Sequence, residues 1–513
     1  MTGILPMTRT AVPESTRFFG HPTGLTTLFF TEMWERFSYY GMRALLILFM
    51  TAAIAHGGMG LDDRTATAIY GLYTAAVYLT SLPGGWIADR LIGQQRSVWY
   101  GGLIIAAGHF TLALPSHQTF YIGLVLIVLG TGLLKTNTSA LVGGLYPENS
   151  AARDAGFSIY YMGINLGAFL GAIICGWLGQ KVNWHYGFAA AGVGMVFGLL
   201  QYRLTRWRLG NVGIEAVPAH AQAHAQSRFL RRSWLALIAG LGIIVLLVVV
   251  GYTGTVHYAP VSMAIWAGLA ILALGLGFLA WLLFFGKLNL VERKRILALA
   301  ILFLVQVLFW AGFEQSGSNF NLFAERYTRL SVFGYAFPAS WFQSEDPLLI
   351  ILLAPFFAWI WVALGRRNMD PSTPMKFALG LLFLGMSFLV MVGAAWIVVA
   401  GHKALPVWLA TTYLLHTIGE LCLSPVGLSA TTRLSPKRYA SRLMGTWFLF
   451  MALGELLAGL IAGRFTAHNV NEMPHMYASL AAMLIAVGLL MVLLSRPIQR
   501  RLIGDPPHDA SAS

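Results

Sequence analysis

The sequence predicts an all-α polytopic membrane protein, and its composition and patterning carry that prediction. Of the 513 residues, 57% are hydrophobic and only 11% are charged, against about 25% charged in soluble proteins. Runs of about 20 apolar residues, each long enough to cross roughly 30 Å of hydrocarbon as a helix, recur almost from end to end. Fourteen spans can be placed, at 26–54, 67–90, 97–115, 119–146, 155–180, 186–206, 233–252, 260–286, 296–324, 346–366, 375–400, 405–432, 439–466 and 475–497. A third observation bears on function: acids and bases stand inside several spans, where lipid cannot accept them.

The first span contains Glu32-Met33-Trp34-Glu35-Arg36-Phe37-Ser38-Tyr39-Tyr40-Gly41-Met42-Arg43. At 3.6 residues per turn, Glu32, Glu35, Arg36, Tyr39, Tyr40 and Arg43 share one face of a helix, and the opposite face is apolar. Each charge at a helix centre costs about 2.5 to 3.5 kcal/mol to insert, so four approach roughly 10, while some ten Leu, Ile and Phe return only about 3 to 6. The four must therefore face a bundle interior or a wet cavity, the usual mark of an ion or substrate path.

The net charge of +14 raises the question of a nucleic-acid partner, and the distribution of the basic residues answers it. With the N-terminus in the cytoplasm, most of them fall on cytoplasmic segments or at span ends, and only Arg36, Arg43 and Lys135 lie deep within spans. Clusters such as Arg228, Arg231, Arg232 and Lys287, Arg293, Lys294, Arg295 read as orientation signals, so no nucleic-acid partner is expected. The two cysteines, Cys175 and Cys422, lie within spans and offer neither a disulfide framework nor a metal site. The first 24 residues lack the pattern of a cleaved signal.

Along the chain, Tyr70, Tyr73 and Tyr78 of the second span fit either core or cavity lining. That span ends in Gly84-Gly85-Trp86-Ile87-Ala88-Asp89-Arg90-Leu91-Ile92-Gly93-Gln94-Gln95-Arg96, which resembles the loop between the second and third helices of the major facilitator superfamily. There Asp89, with Arg90, is expected to act as a latch by accepting from a neighbouring helix end or arginine. Lys135 is the only charge of the fourth span, and a pair with Glu32 or Glu35 is the economical expectation. In the fifth span Gly163, Gly167 and Gly171 give small-xxx-small spacing for close packing; Asn165 beside them reads equally as packing glue or substrate contact.

A basic loop and two spans without intramembrane charge occupy residues 208–292, a composition that suits lipid-facing spacers. Beyond them lie three buried acids: Glu314 after Phe309-Trp310, Glu420 ahead of Ser424-Pro425, where a broken helix is expected, and Glu455. His416, one turn before Glu420, reads as a packing residue. The loop Gly365-Arg366-Arg367-Asn368-Met369-Asp370 with Lys376 is positioned as a degenerate copy of the Asp89 loop, a sign of two related halves.

Taken together, Glu32-x-x-Glu35-Arg36-Phe37-x-Tyr39-Tyr40-Gly41, the segment Phe157 to Gly167, Phe309-Trp310-x-x-x-Glu314-Gln315 and Gly419-Glu420-x-x-x-Ser424-Pro425-x-Gly427 resemble the proton-dependent oligopeptide transporters, the peptide branch of the major facilitator superfamily. The resemblance implies the major facilitator fold, with six-helix bundles at 1–207 and 293–502, an inserted pair within 208–292 and a cytoplasmic tail at 503–513. It implies proton-coupled symport of di- and tripeptides by alternating access, with protons as coupling ion and no other cofactor. A monomer in the bacterial cytoplasmic membrane, both termini cytoplasmic, follows from the same reading.

By that resemblance Arg43 and Lys135, with Arg36 nearby, form a basic wall for the peptide carboxylate, while Glu420, with Asn165 and Asp346, receives the amino group. Tyr39, Tyr40, Tyr78 and Trp447 line side-chain pockets. Glu314, exchanging partners with Arg43, is the first choice for the proton; Glu32 and Glu35, set against Arg36 and Lys135, are the second. Thr136, Asp346, Phe450 and Glu455 depart from the family pattern, which usually has proline, asparagine, serine and asparagine there. Rival readings are a carrier of another solute such as nitrate and a membrane-embedded enzyme. The second lacks an HExxH or G-x-S-x-G sequence.

Overall fold

The computed structural model describes residues 18–147, 150–214, 216, 223–253, 258–465 and 470–504. The chain before Phe18, the Arg228 side chain and residues 505–513 of the expected tail lie outside that set. The described residues form fourteen long helices, one short helix and one small hairpin. The first six are α1 (Gly24–Thr51), α2 (Asp63–Ile87), α3 (Gln94–Leu112), α4 (His117–Gly144), α5 (Ala151–Trp177) and α6 (Trp184–Thr205). The pair α7 (Ala223–Tyr252) and α8 (Pro260–Phe285) follows. Then come α9 (Leu290–Phe313), the short α10 (Asn319–Tyr327), α11 (Glu345–Arg366), α12 (Thr373–Val399), α13 (Pro406–Leu434), α14 (Ala440–Ala462) and α15 (Met473–Pro497). Strands β1 (Ser331–Val332) and β2 (Tyr335–Ala336) pair antiparallel after α10.

Local chemistry sets the helix starts. The Asp62 carboxylate accepts from the Thr65 backbone N–H at 3.0 Å, and Asn289 with Glu292 forms a reciprocal capping box at the start of α9. Proline stands in the first turn of α8, α12, α13 and α15, where its missing N–H costs nothing.

Among the described residues, ten helical segments are long and apolar enough to cross a membrane. Those containing α1, α2, α3 and α13 are less apolar, because charged, hydroxyl, glycine and tyrosine positions dilute them. Neighbouring helices shield most of α1.

One expectation about helix breaks is corrected. The chain does not break at Ser424-Pro425, because α13 runs through Pro425 to Leu434; a proline inside a helix removes one donor, which a bundle can tolerate. The interruption comes in the ninth span, where α9 ends at Phe313, Glu314–Gly317 form a 3-10 turn, and α10 starts at Asn319. A Cβ on Gly317 would lie 1.9 Å from the Tyr70 hydroxyl and 3.0 Å from Arg43 Nη2, so only glycine lets this turn approach α1 and α2.

Within the first six helices, α1 packs on α5 and α6, α3 on α4 and α6, and α2 on α4. The glycine stripe of α5 makes the α1 crossing possible: a Cβ on Gly167 would lie 2.0 Å from the Met33 carbonyl oxygen. Within the last six spans, α12 packs on α13 and α15, and α9 on α14. The inserted helices differ: α8 packs on α2 and α14, whereas α7 turns Trp234, Leu235, Ile238, Val245 and Leu246 outward, as a lipid-facing spacer would.

We call the end of the bundle where α1 begins the near face and the opposite end the far face. Contacts between the first six and last six spans gather toward the far face. Arg326 holds Asp63 through two hydrogen bonds of 2.7 Å, Gln180 Nε2 donates to Glu325 at 2.8 Å, and Trp341 Nε1 donates to the Ile173 carbonyl at 3.1 Å. There the α2 and α14 backbones touch at Gly71 and Gly459; a Cβ on Gly459 would lie 2.4 Å from the Thr67 carbonyl oxygen.

Candidate functional site

The charged face of α1 meets α2, α4, α5, the Glu314–Gly317 turn and α14, and each ionisable group there finds a different solution. Arg36 takes both nearby acids, with Nε 3.1 Å from Glu32 Oε1 and 2.5 Å from Glu35 Oε2, all three side chains buried. Glu32 Oε2 also accepts from the Thr138 hydroxyl at 2.8 Å, and Thr138 in turn accepts from the Tyr160 hydroxyl at 2.8 Å. This chain ties α5 and α4 to α1. It supplies the second and third groups a buried ion pair needs to be tolerated.

Two turns along α1, Arg43 reaches across to the last six spans. Its Nη2 pairs with Glu314 Oε2, its Nε donates to the Tyr70 hydroxyl at 2.5 Å, and its guanidinium lies 5.6 Å from the ring centroids of Tyr40 and Tyr70. Arg43 and Glu314 stand 271 residues apart in sequence. Tyr70, left open between core and cavity, is thus a direct partner of the central arginine, while Tyr39 stacks on Tyr73 with centroids 6.3 Å apart.

Lys135 departs from expectation. Among the described residues it makes no ion pair; its Nζ sits 3.9 Å from the Tyr78 ring centroid. Arg36 already engages Glu32 and Glu35, and an aromatic face satisfies an ammonium without a carboxylate.

Opposite charge lies on α11 and α13. Asp346 Oδ1 accepts from the Thr417 hydroxyl at 2.6 Å, and Glu420, one turn after Thr417, stands within electrostatic reach of Asp346, Tyr40 and Tyr161. Among the described residues Glu420 forms no ion pair. The Asn165 side-chain amide donates back to the Tyr161 carbonyl at 3.0 Å, so this donor is held by its own helix.

Trp447 is 2% exposed and packs on Gly427, Phe303 and Phe377, while its carbonyl accepts from Gln306 at 2.9 Å. It packs in the core of the last six spans, fitted over a glycine. His416 packs among Phe313, Phe320, Phe388 and Tyr413, with neither ring nitrogen hydrogen-bonded.

Asp89, half of the expected latch, is exposed in an irregular turn at Ala88–Ile92 and makes no ion pair among the described residues; the Arg90 guanidinium lies 5.6 Å from the Trp86 ring centroid. The degenerate copy does form its bond, with Lys376 Nζ 2.8 Å from Asp370. Sequence reasoning missed Thr138, Tyr160, Thr417 and the Asp63–Arg326 pair. The signal for two of these was available, since Thr138 and Thr417 each stand three residues from an intramembrane charge, on the same helix face.

The arrangement holds one arginine between two sets of helices and places near it acids that form no ion pair among the described residues. Such a site can bind opposite charges at once and can trade a salt bridge for a proton. Comparison with known proteins agrees with that chemistry. A family model described as the POT family matches residues 95–478. A peptide transporter from Yersinia enterocolitica subsp. palearctica is 42% identical over 504 residues, covering 96% of this chain and 98% of its own length. A di-/tripeptide transporter from Lactococcus lactis subsp. cremoris is 37% identical over 501 residues, covering 95% and 98%. Among solved structures, the crystal structure of a peptide transporter POT in complex with sulfate has a TM-score of 0.88 at 40% identity, covering 96% of this chain and 98% of that one.

Proposed function

This chain belongs to the POT family, and from that premise we propose that it imports di- and tripeptides together with protons by alternating access. Its fold is the major facilitator fold, and it is a multi-pass membrane carrier rather than an enzyme. The observation that supports the reading best is the buried Arg43–Glu314 pair, which joins the first six spans to the last six at the level of the other intramembrane charges. Arg43, Lys135 and Arg36 offer cationic contacts for a peptide carboxylate. Glu420 and Asp346 offer anionic ones for the amino group, with Asn165, Tyr39, Tyr40 and Tyr78 alongside.

Coupling in this reading is a change of partner. A proton arriving on Glu314 removes its charge, the pair with Arg43 opens, and Arg43 becomes free to hold the peptide carboxylate. Glu32 and Glu35, shared by Arg36, form a second such set. The halves are bundles at 1–207 and 293–502, with 208–292 as a spacer, and the carrier works as a monomer with both termini in the cytoplasm of a bacterial cell. The near face is then cytoplasmic, and this conformation is sealed toward the outside.

The test is pH-driven uptake and counterflow of a labelled dipeptide in proteoliposomes, competed by longer peptides, free amino acids and nitrate. Di- and tripeptides should compete and nitrate should not. Proton-linked uptake of nitrate in place of dipeptide would overturn the reading.

A further inference from the structure

Glu455 takes no part in the exchange just described, yet its position gives it a partner. It lies on α14 at the crossing with α2, next to the Gly71–Gly459 contact, and is 2% exposed. Its carboxyl lies against the Thr74 hydroxyl, and its Oε2 has no hydrogen-bond partner. Arg43 and Tyr39 from α1, Tyr70 and Tyr78 from α2 and Lys135 from α4 stand within its electrostatic reach. The 314–317 turn adds Glu314, and α13 adds His416 and Glu420; α8 and the stretch 296–313 of α9 carry no titratable side chain. Of the two cations, Lys135 is occupied by the Tyr78 ring and Arg43 by Glu314.

One guanidinium thus pairs with Glu314 and stands within electrostatic reach of Asp346, which the Thr417 hydroxyl holds, and of Glu455, which keeps an orphaned oxygen. A buried polar atom left unpaired in a well-packed bundle calls for an explanation, commonly a second state in which it is satisfied. We propose that Glu455 is the alternative partner of Arg43, so that the coupling proton alternates between Glu314 and Glu455. A proton from far-face water forms an O–H bond on Glu314, and Arg43, once it has released the peptide carboxylate, pairs with Glu455. The O–H bond of the Glu455 carboxyl breaks, and that proton passes to near-face water. On the return step the Glu314 O–H bond breaks, its proton forms the new O–H bond on Glu455, and Arg43 goes back to Glu314; one carboxylate and one carboxyl accompany the arginine throughout, and one proton crosses per cycle. Glu455 is a positioning residue here, acting through Arg43.

This proposal rests on the proton-driven reading above, and its test separates the two. In proteoliposomes, wild-type protein should accumulate labelled dialanine against its gradient when driven by pH; if it does not, the transport reading fails, whatever Glu455 does. Glu455→Gln should retain dialanine counterflow while gradient-driven accumulation falls at least tenfold, and Glu455→Asp should recover part of it. Wild-type accumulation by Glu455→Gln overturns the proposal, as does loss of counterflow along with accumulation, which marks a structural role. An experimental structure of Glu314→Gln supplies a readout that does not depend on the Glu455→Gln variant folding. There the Arg43 guanidinium should be found in an ion pair with Glu455, and an Arg43 that stays on Tyr70 with Glu455 unpaired overturns the proposal.

Discussion

The two faces of the bundle are held together in different ways. Toward the far face, the first six and last six spans share the Asp63–Arg326 pair, the Gln180 and Trp341 hydrogen bonds and the Gly71–Gly459 backbone contact. Toward the near face no hydrogen bond or ion pair joins them among the described residues, and Asp89 stands exposed. A carrier with alternating access needs this asymmetry, because one seal must hold while the other is open. The comparison also shows where the stabilising contacts of this state lie, and therefore which substitutions it will notice.

The largest effect is expected at the junction between the two regions. Removing one partner of a buried pair costs about 3 to 5 kcal/mol, so Glu314→Gln should abolish pH-driven dipeptide accumulation while exchange at equal concentrations persists. Full accumulation in that variant would remove Glu314 from coupling. A smaller but clear loss is expected at the far-face crossing. Gly459→Val places a side chain against the Thr67 carbonyl, and overpacking of this kind costs about 1 to 3 kcal/mol. Uptake should fall about tenfold, and a cysteine placed at Thr67 should react faster with a membrane-impermeant thiol reagent added on the far side.

The Asp63–Arg326 pair is partly exposed, so its loss is screened and worth about 1 kcal/mol or less. Asp63→Asn should slow uptake a few-fold, and exchanging the two charges, Asp63→Arg with Arg326→Asp, should restore much of the rate. The smallest effect belongs to the near face. Asp89→Asn should leave thermal stability in detergent within about 0.5 kcal/mol of wild type, as expected for an exposed side chain with no partner to lose. A large destabilisation there would mean that the near face is sealed as well, and the contrast between the faces would collapse.

Much of the architecture could be read in the sequence because membrane insertion is a local constraint. A run of about 20 apolar residues must be a helix whatever surrounds it, and a long helix lies at each of the fourteen expected spans, the ninth of them interrupted at Glu314–Gly317. The departures all involve contacts between distant segments. Pro425 reads as a break but is accommodated, while Gly317 breaks the ninth span because Tyr70 and Arg43 press against it. Lys135 reads as a partner for acids that Arg36 has already taken.

By itself the sequence determined that this chain crosses a membrane many times and that its α1 charges must be sheltered from lipid, because transfer of a charge into hydrocarbon is unfavourable wherever it occurs. Only the tertiary structure decided that Arg43 joins Glu314 and Tyr70, that Lys135 rests on Tyr78, and that Glu455 is left with an unpartnered oxygen. Those choices depend on fractions of an ångström between helices far apart in the chain. Periodicity along one helix carries no record of such distances.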